Sequence, residues 1–226
     1  DSFNFSFNEI ITGAGYIKSN GLSIDSRNIK KGDIFFALKG DKVDGHKYIN
    51  QAYKSGASMA IIDDNIEYDL PTYKVPSVRD FINNLSSKYR DSFNQPIIGI
   101  TGSNGKTSTK DLLVHILSSS MDTSFSRGNY NSTLGAPLSL FECNKADDIS
   151  VIEMGASKPG EIEYICNIVK PEMGIITNIA GAHLEKFGTI EEIVKTKSAL
   201  FDQLPCKGTA FINIDDNFWY LSQKVW

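Results

Sequence analysis

From residue 97 onward the chain alternates two hydrophobic patterns. Short, nearly continuous apolar runs ("PIIGITG", "ISVIEMGA", "MGIITNI" and "GTAFINID") are separated by longer stretches with apolar residues at helical spacing. Continuous apolar runs suit strands that are covered on both faces. Their alternation with helices predicts an α/β fold with a doubly wound, mostly parallel sheet. Helices are expected at about 105–120, from near Pro159 with Glu161 in the first turn, and over "TIEEIVKTKSALFDQL" with Thr189 as N-cap. Residues 1–90 repeat the theme on a smaller scale. "LSIDSR", "GDIFFALKG", "SMAIID" and "PTYKVP" read as strands, and "KYINQAYKSGA" and "SVRDFINNLSSKYRD" as helices. In the second helix Val78, Phe81, Ile82, Leu85 and Tyr89 would bury one face. The polar, Pro-containing "DSFNQP" marks a boundary, giving a small α/β domain over 1–92 and a second domain over 93–226.

The join between the first strong strand and its helix carries chemistry. "GITGSNGKTSTK" leaves an apolar strand, turns on glycines and enters a helix. The longer phosphate-binding loop has a Gly five residues before the Gly of its Gly-Lys pair; here that position is Ile100. The shorter Gly102-x-x-Gly105-Lys106-Thr107 pattern remains. Backbone N–H groups at such a turn, with the helix N-terminus, attract phosphate oxygens. Gly102, Ser103, Asn104, Gly105, Lys106, Thr107 and Ser108 are therefore candidates for holding a nucleotide. Lys106 would lie against the β- and γ-phosphates, and Thr107 could offer its hydroxyl to Mg²⁺.

Later strand ends supply acids, an amide and a histidine. Glu153 closes "ISVIE" at the carboxyl edge, where open α/β sheets bind ligands. A carboxylate on an apolar strand needs a partner, either a salt bridge or a metal ion. Asn178 follows "GIIT", and His183 lies just beyond in "GAHLEKFG", placed to act as a ligand. His115, inside "DLLVHIL", reads as structural.

Composition narrows the class. The 226 residues are 41% hydrophobic and 22% charged, as in a globular protein with a real core. The net charge of −4 gives no hint of nucleic acid, and no apolar run is long enough to span a bilayer. No signal peptide opens the chain, which begins at Asp1. Cys143, Cys166 and Cys206 are scattered without metal-ligand spacing and read as buried, reduced thiols of a cytoplasmic protein.

Several stretches together resemble a known family. "TGSNGKTSTK", "VIEMGASKPGEI" and "TNIAGAHLEKFGTIEEIVKTKSALF" are similar to the Mur ligases, the ATP-dependent amide-forming enzymes of bacterial peptidoglycan synthesis. "EMGASKPGEI" and "GNYNSTLGAPLSL" most resemble the branch that joins D-alanyl-D-alanine to UDP-N-acetylmuramoyl-tripeptide. The MurE type would show an E-V-S-S-H-like stretch in place of "EMGAS". "SIDSRNIKKGDIFFALKGDKVDGHKYINQAYKSGA" resembles the family's UDP-sugar-binding domain. The family has three domains. The resemblance thus implies that residues 93–226 are a truncated central ATPase domain, that the carboxyl-terminal domain is absent, and that this chain alone does not turn over.

The resemblance also implies a mechanism and further residues. The γ-phosphoryl group of ATP passes to the substrate carboxylate, and the amine of D-alanyl-D-alanine attacks the acyl phosphate. One Mg²⁺ would be held by Thr107 and Glu153, and a second near His183, with Lys197 carbamylated as an anionic ligand. Asn129 and Asn131 stand where the family more often has adjacent asparagines, with Ser132 in the second amide's place. Ser26, Arg27, Lys39, Asp44 and His46 are the candidates for the UDP end, where Arg27 and Lys39 suit pyrophosphate. Lys106, Glu153, His183 and Lys197 form the expected catalytic set. The protein is expected to be a cytoplasmic monomer. Three readings stand beside this one: a nucleotide- or UDP-sugar-binding module without catalysis, another Mur-type ligase such as MurE, and a folylpolyglutamate or cyanophycin synthetase. The "DSR…ALKGDKVDGH" segment argues against the last.

Overall fold

The computed structural model describes residues 19–40, 43–181 and 184–217. The chain divides into two compact units, Asp1–Leu85 and Ser86–Trp226.

The first unit contains β1 (Leu22–Ser23), β2 (Ile34–Phe36), a 3-10 turn (Gly45–Tyr48), α1 (Ile49–Lys54), β3 (Met59–Ile62), β4 (Thr72–Lys74) and the start of α2 (Val78–Arg90). Its four strands lie in the order β1-β2-β3-β4, all parallel. Alternation along β2 and β3 sends Phe35, Ala37, Ala60 and Ile62 into one apolar cluster with Ile49 and Ala52 of α1. Phe36, with the opposite parity, stacks on Phe81 of α2 at 6.3 Å between ring centroids.

The second unit contains β5 (Ile97–Thr101), α3 (Lys106–Leu117), β6 (Thr123–Phe125), α4 (Gly135–Ser139), β7 (Ile149–Glu153), α5 (Glu161–Val169), β8 (Met173–Ile176), α6 (Leu184–Phe187), α7 (Ile190–Asp202) and β9 (Thr209–Ile212). The parallel sheet has the order β6-β7-β5-β8-β9. The chain leaves β5 for the edge at β6, returns through β7, and crosses to β8 on the other side. Right-handed crossovers then put α3 on one face and α5 and α7 on the other. Val114, Leu113 and Leu117 of α3 pack on Ile98, Ile100, Ile149 and Val151. On the opposite face, missing side chains admit α7. A Cβ on Gly99 would sit 3.0 Å from Leu200 Cδ1, and one on Gly174 3.0 Å from Leu200 Cγ. The strand order reverses around β5, so its carboxyl end opens the crevice where such sheets bind ligands.

The sequence places the boundary at 92/93, in "DSFNQP"; by packing alone the two units meet within α2. Tyr89 Oη donates to Cys143 O at 2.9 Å. Arg90, 5% exposed, donates to Val169 O, Phe93 O and Lys170 O at 2.9, 3.0 and 3.1 Å, and to Glu172 Oε1 at 2.6 Å. The last turn of α2 is therefore bonded into the second unit. Cys143 and Cys166 are buried, and burial pushes both thiols up, but Cys206 is exposed in the turn before β9. His115 stands exposed on α3. Among the described residues no helix is long and apolar enough to cross a membrane.

Candidate functional site

The loop after β5 needs glycine at two places. Gly102 has φ 150° and Gly105 φ 78°, both in the region that side chains rarely adopt. Gly105 is the N-cap of α3, and Thr109 N donates to its carbonyl at 2.9 Å as the first helical bond. The amides of the preceding residues in the first turn have no intrahelical acceptor and point out of the helix end. Lys106 folds back over this loop, its Nζ donating to Gly102 O at 2.8 Å and Ser103 O at 3.3 Å. Burial holds its pKa below the ordinary lysine range, with the Glu153 charge opposing the shift. Ser108 is exposed on the same turn.

Asn178 is brought to the loop as a brace. Its carbonyl accepts from Ser103 N and its Oδ1 from Asn104 N, each at 2.9 Å. Ser103 Oγ donates to Ala180 O and accepts from Ala180 N, both at 2.9 Å. Thr177 Oγ1 donates to Asn104 O at 2.6 Å. The amides of Ser103 and Asn104 are thus already used, which leaves phosphate recognition to the amides of the helix start.

Strand register sets Glu153 beside this loop, because Ile100 pairs with Glu153 across β5 and β7. Glu153 is 1% exposed, and its carboxylate accepts from Thr107 Oγ1 at 2.8 Å and Asn131 Nδ2 at 2.7 Å. Both donors are neutral, and among the described residues no Lys, Arg or His side chain is within ion-pair distance of it. Among the described residues its carboxylate accepts only from these neutral groups, with the Lys106 charge acting on it at longer range, a setting that suits a bound cation. Asn131 thus joins the site. Asn129 is exposed and contributes its carbonyl to Asn131 N at 2.8 Å. Ser132 Oγ instead accepts from Gly135 N at 3.1 Å, at the start of α4.

Lys197 reaches the same loop from α7, which begins as expected with Thr189 Oγ1 accepting from Glu192 N at 3.3 Å. Lys197 is 3% exposed and Nζ donates to Gly102 O at 3.1 Å, while Lys195 faces solvent. Burial first, and the Lys106 charge second, push the Lys197 pKa down to about 8. His183 lies outside the described residues. Sequence reasoning passed over Lys110 and Ser126, both buried behind Glu153. A lysine in a helix ordinarily reads as solvated, so nothing in the pattern marked Lys110.

In the first unit the candidates gather at the carboxyl edge of the small sheet. Arg27 is exposed and held by Asp25 through Nε–Oδ1 at 2.9 Å and Nη2–Oδ2 at 2.7 Å. Ser26 is buried and donates to Gln51 Oε1 at 3.2 Å. Lys39 is exposed, and its backbone bridges to Asp44. His46 differs from an open binding residue. It is 7% exposed, its Nδ1 is 2.8 Å from Asp44 Oδ1, and its Nε2 accepts from Asp63 N at 3.3 Å. The His46 contact holds the Asp44 carboxyl below the usual carboxylate range. His46 therefore shapes this edge by tying the turn to β3. Gly45 permits the turn, since a Cβ there would lie 2.7 Å from both Leu38 N and Leu38 O.

Comparison with known proteins agrees with this geometry. Residues 100–225 match the model of the Mur ligase middle domain, and residues 18–91 that of the Mur ligase family catalytic domain. The chain is 34% identical over 216 residues to UDP-N-acetylmuramoyl-tripeptide–D-alanyl-D-alanine ligase of Escherichia coli (strain K12), covering 93% of the chain and 48% of that protein. A solved structure, MurF from Acinetobacter baumannii, superposes with a TM-score of 0.86 at 33% identity, over 96% of this chain and 48% of that one. The MurF ligase of Thermotoga maritima in complex with ADP gives 0.79 at 30% identity, over 90% and 48%. The chain spans about half the length of the curated relatives it matches.

Proposed function

The chain belongs to the Mur ligase family, and from that premise we propose that it carries the ATP site and the UDP-substrate site of a ligase joining D-alanyl-D-alanine to UDP-N-acetylmuramoyl-tripeptide. The observation that carries the reading is the meeting of Thr107, Asn131 and the buried Glu153 at the start of a helix whose loop is spanned by Lys106. A carboxylate–hydroxyl pair beside a phosphate cradle has the hard oxygen donors that Mg²⁺ takes together with substrate phosphates.

In this reading the amides at the start of α3 take the β- and γ-phosphate oxygens. Lys106 leaves the Gly102 and Ser103 carbonyls and neutralises the same phosphates. Thr107 and Glu153 would hold Mg²⁺, which when bound screens the triphosphate charge from an approaching carboxylate. The γ-phosphoryl group moves to the tripeptide carboxylate. The D-alanyl-D-alanine amine then attacks the acyl carbon, loses a proton, and phosphate leaves. Lys197 suits carbamylation, because burial favours the neutral amine that adds to carbon dioxide, with release of one proton. As a carbamate it would serve a second Mg²⁺ together with His183. Asn129 and Ser108 line the mouth of the cradle. In the first unit Arg27 and Lys39 take the pyrophosphate of the UDP substrate, Ser26 and Asp44 its polar edges, and His46 holds Asp44 in place. The product is a cell-wall precursor made by a monomer in the bacterial cytoplasm, a step on which cell shape and division depend.

Product analysis tests this. ATP, UDP-N-acetylmuramoyl-tripeptide and D-alanyl-D-alanine are supplied to this chain and to a version extended to the length of its relatives. The pentapeptide product from the extended protein is expected. Nucleotide binding without product in both would leave a binding module and reject the ligase reading.

A further inference from the structure

Behind Glu153 lies a buried cation that the proposed chemistry does not use. Lys110, one helical turn beyond Lys106 in α3, is 2% exposed. Its Nζ donates to Ser126 O at 2.9 Å, lies 3.1 Å from Asp111 Oδ1 and stands 5.7 Å from the centroid of the Phe125 ring. Asp111 is largely solvent-exposed, so the pair is screened on one side and Lys110 is costly to bury for stability alone. Ser126, 1% exposed, is the first residue after β6. Its N–H donates to Val151 O at 3.0 Å, and its Oγ accepts from Glu153 N at 2.9 Å. A continuous path therefore runs from the Lys110 ammonium through Ser126 to the backbone of Glu153, whose carboxylate meets Thr107 at 2.8 Å. Thr107 and Lys110 are close neighbours on α3. The helix thus touches Glu153 twice, directly through Thr107 and indirectly through Lys110 and Ser126.

We propose that Lys110 and Ser126 are positioning residues that fix the Glu153 carboxylate for a divalent cation beside the nucleotide phosphates. Lys110 locks the end of β6 to α3, and Ser126 locks the end of β7 to β6. Neither residue touches the nucleotide. The inference rests on the nucleotide-site reading given above.

The test is calorimetric binding of ADP to this chain, with and without MgCl₂, for wild type, Lys110→Met, Ser126→Ala and the double variant, with melting temperatures measured beside it. Wild type is expected to bind ADP more tightly with Mg²⁺. Each single variant should lose fivefold or more of Mg²⁺-dependent affinity, while ADP alone binds within twofold of wild type. The double variant should be no weaker than the weaker single one, because both act on one path. If Lys110→Met does not fold, Ser126→Ala, which removes only one hydroxyl, decides the matter. Equal losses with and without Mg²⁺ would show a purely structural role and overturn the proposal, as would unchanged binding in folded variants. Wild type that fails to bind ADP at all would overturn the nucleotide-site reading, and this inference with it.

Discussion

Gly102→Ala places a methyl group at the most crowded point of the phosphate loop. The new Cβ would lie 1.9 Å from Thr177 Oγ1, 3.1 Å from Thr177 Cβ and 3.2 Å from Asn178 N. Thr177 can relieve the worst overlap only by turning its hydroxyl away, which breaks the 2.6 Å bond to Asn104 O. Losing that bond costs about 1 kcal/mol. Holding alanine at φ 150° costs roughly 1–3 kcal/mol more. The sum, about 2–4 kcal/mol, corresponds to a loss of affinity of roughly 30- to several-hundred-fold if it falls on binding. A loop that relaxes away from the bound shape shows the cost in ADP affinity; a loop that keeps its shape shows it in stability. Calorimetric titration with Mg-ADP and denaturant unfolding, run on the same preparations, capture both. Thr177→Ala in the Gly102→Ala background removes the Oγ1 overlap, but it also removes the bond to Asn104 O and leaves the backbone strain, so it should restore little of the loss. Gly102→Ala that binds Mg-ADP within threefold of wild type and unfolds at the wild-type denaturant midpoint would refute the reasoning.

Lys197 should leave a pH signature. Its folded pKa of about 8 lies below the ordinary 10.5, so between those values the unfolded chain holds more protons and stability rises with pH. In buffer freed of carbon dioxide, wild type should gain up to about 3 kcal/mol over that window relative to Lys197→Met, and parallel pH–stability curves would contradict this. Arg90→Met strips donors from the carbonyls of Phe93, Val169 and Lys170 and a partner from Glu172. It should cost about 3–5 kcal/mol in denaturant unfolding, and a loss under 1 kcal/mol would show that the cluster is dispensable. Gly45→Ala, whose Cβ meets backbone atoms of Leu38 at 2.7 Å, should weaken binding of a UDP-sugar at least tenfold and leave Mg-ADP binding unchanged; equal loss of both would argue against a local effect.

The parts of the fold that follow from local pattern were legible in the sequence. The apolar runs became β5, β7, β8 and β9, and Thr189 caps α7. The turn from Ile100 to Lys106 carries its own conformational demands, so the need for glycine at 102 and 105 could be read from the pattern. Long-range partners could not be read this way. β6 is three residues of "TSF", with no apolar run to announce it, and exists because it pairs with β7. The division within α2 depends on what Tyr89 and Arg90 bond to far along the chain. His46 carried a binding residue's chemistry, yet both of its ring nitrogens are taken within the protein. Asn178 was placed correctly at a strand end, but its side chain acts on the loop itself. Lys110 shows the same limit: periodicity locates a face, while the partner that makes a charge tolerable there comes from another strand.

The central claim is that the phosphoryl group held at this loop is passed to a carboxylate. UDP-N-acetylmuramoyl-tripeptide carrying ¹⁸O in its reacting carboxylate, incubated with ATP, Mg²⁺, D-alanyl-D-alanine and the protein extended to its relatives' length, tests that claim most directly. The account predicts one ¹⁸O atom in each phosphate released with the amide product, read by mass spectrometry. Product formed with no ¹⁸O in the phosphate, or with the label in AMP, would contradict it.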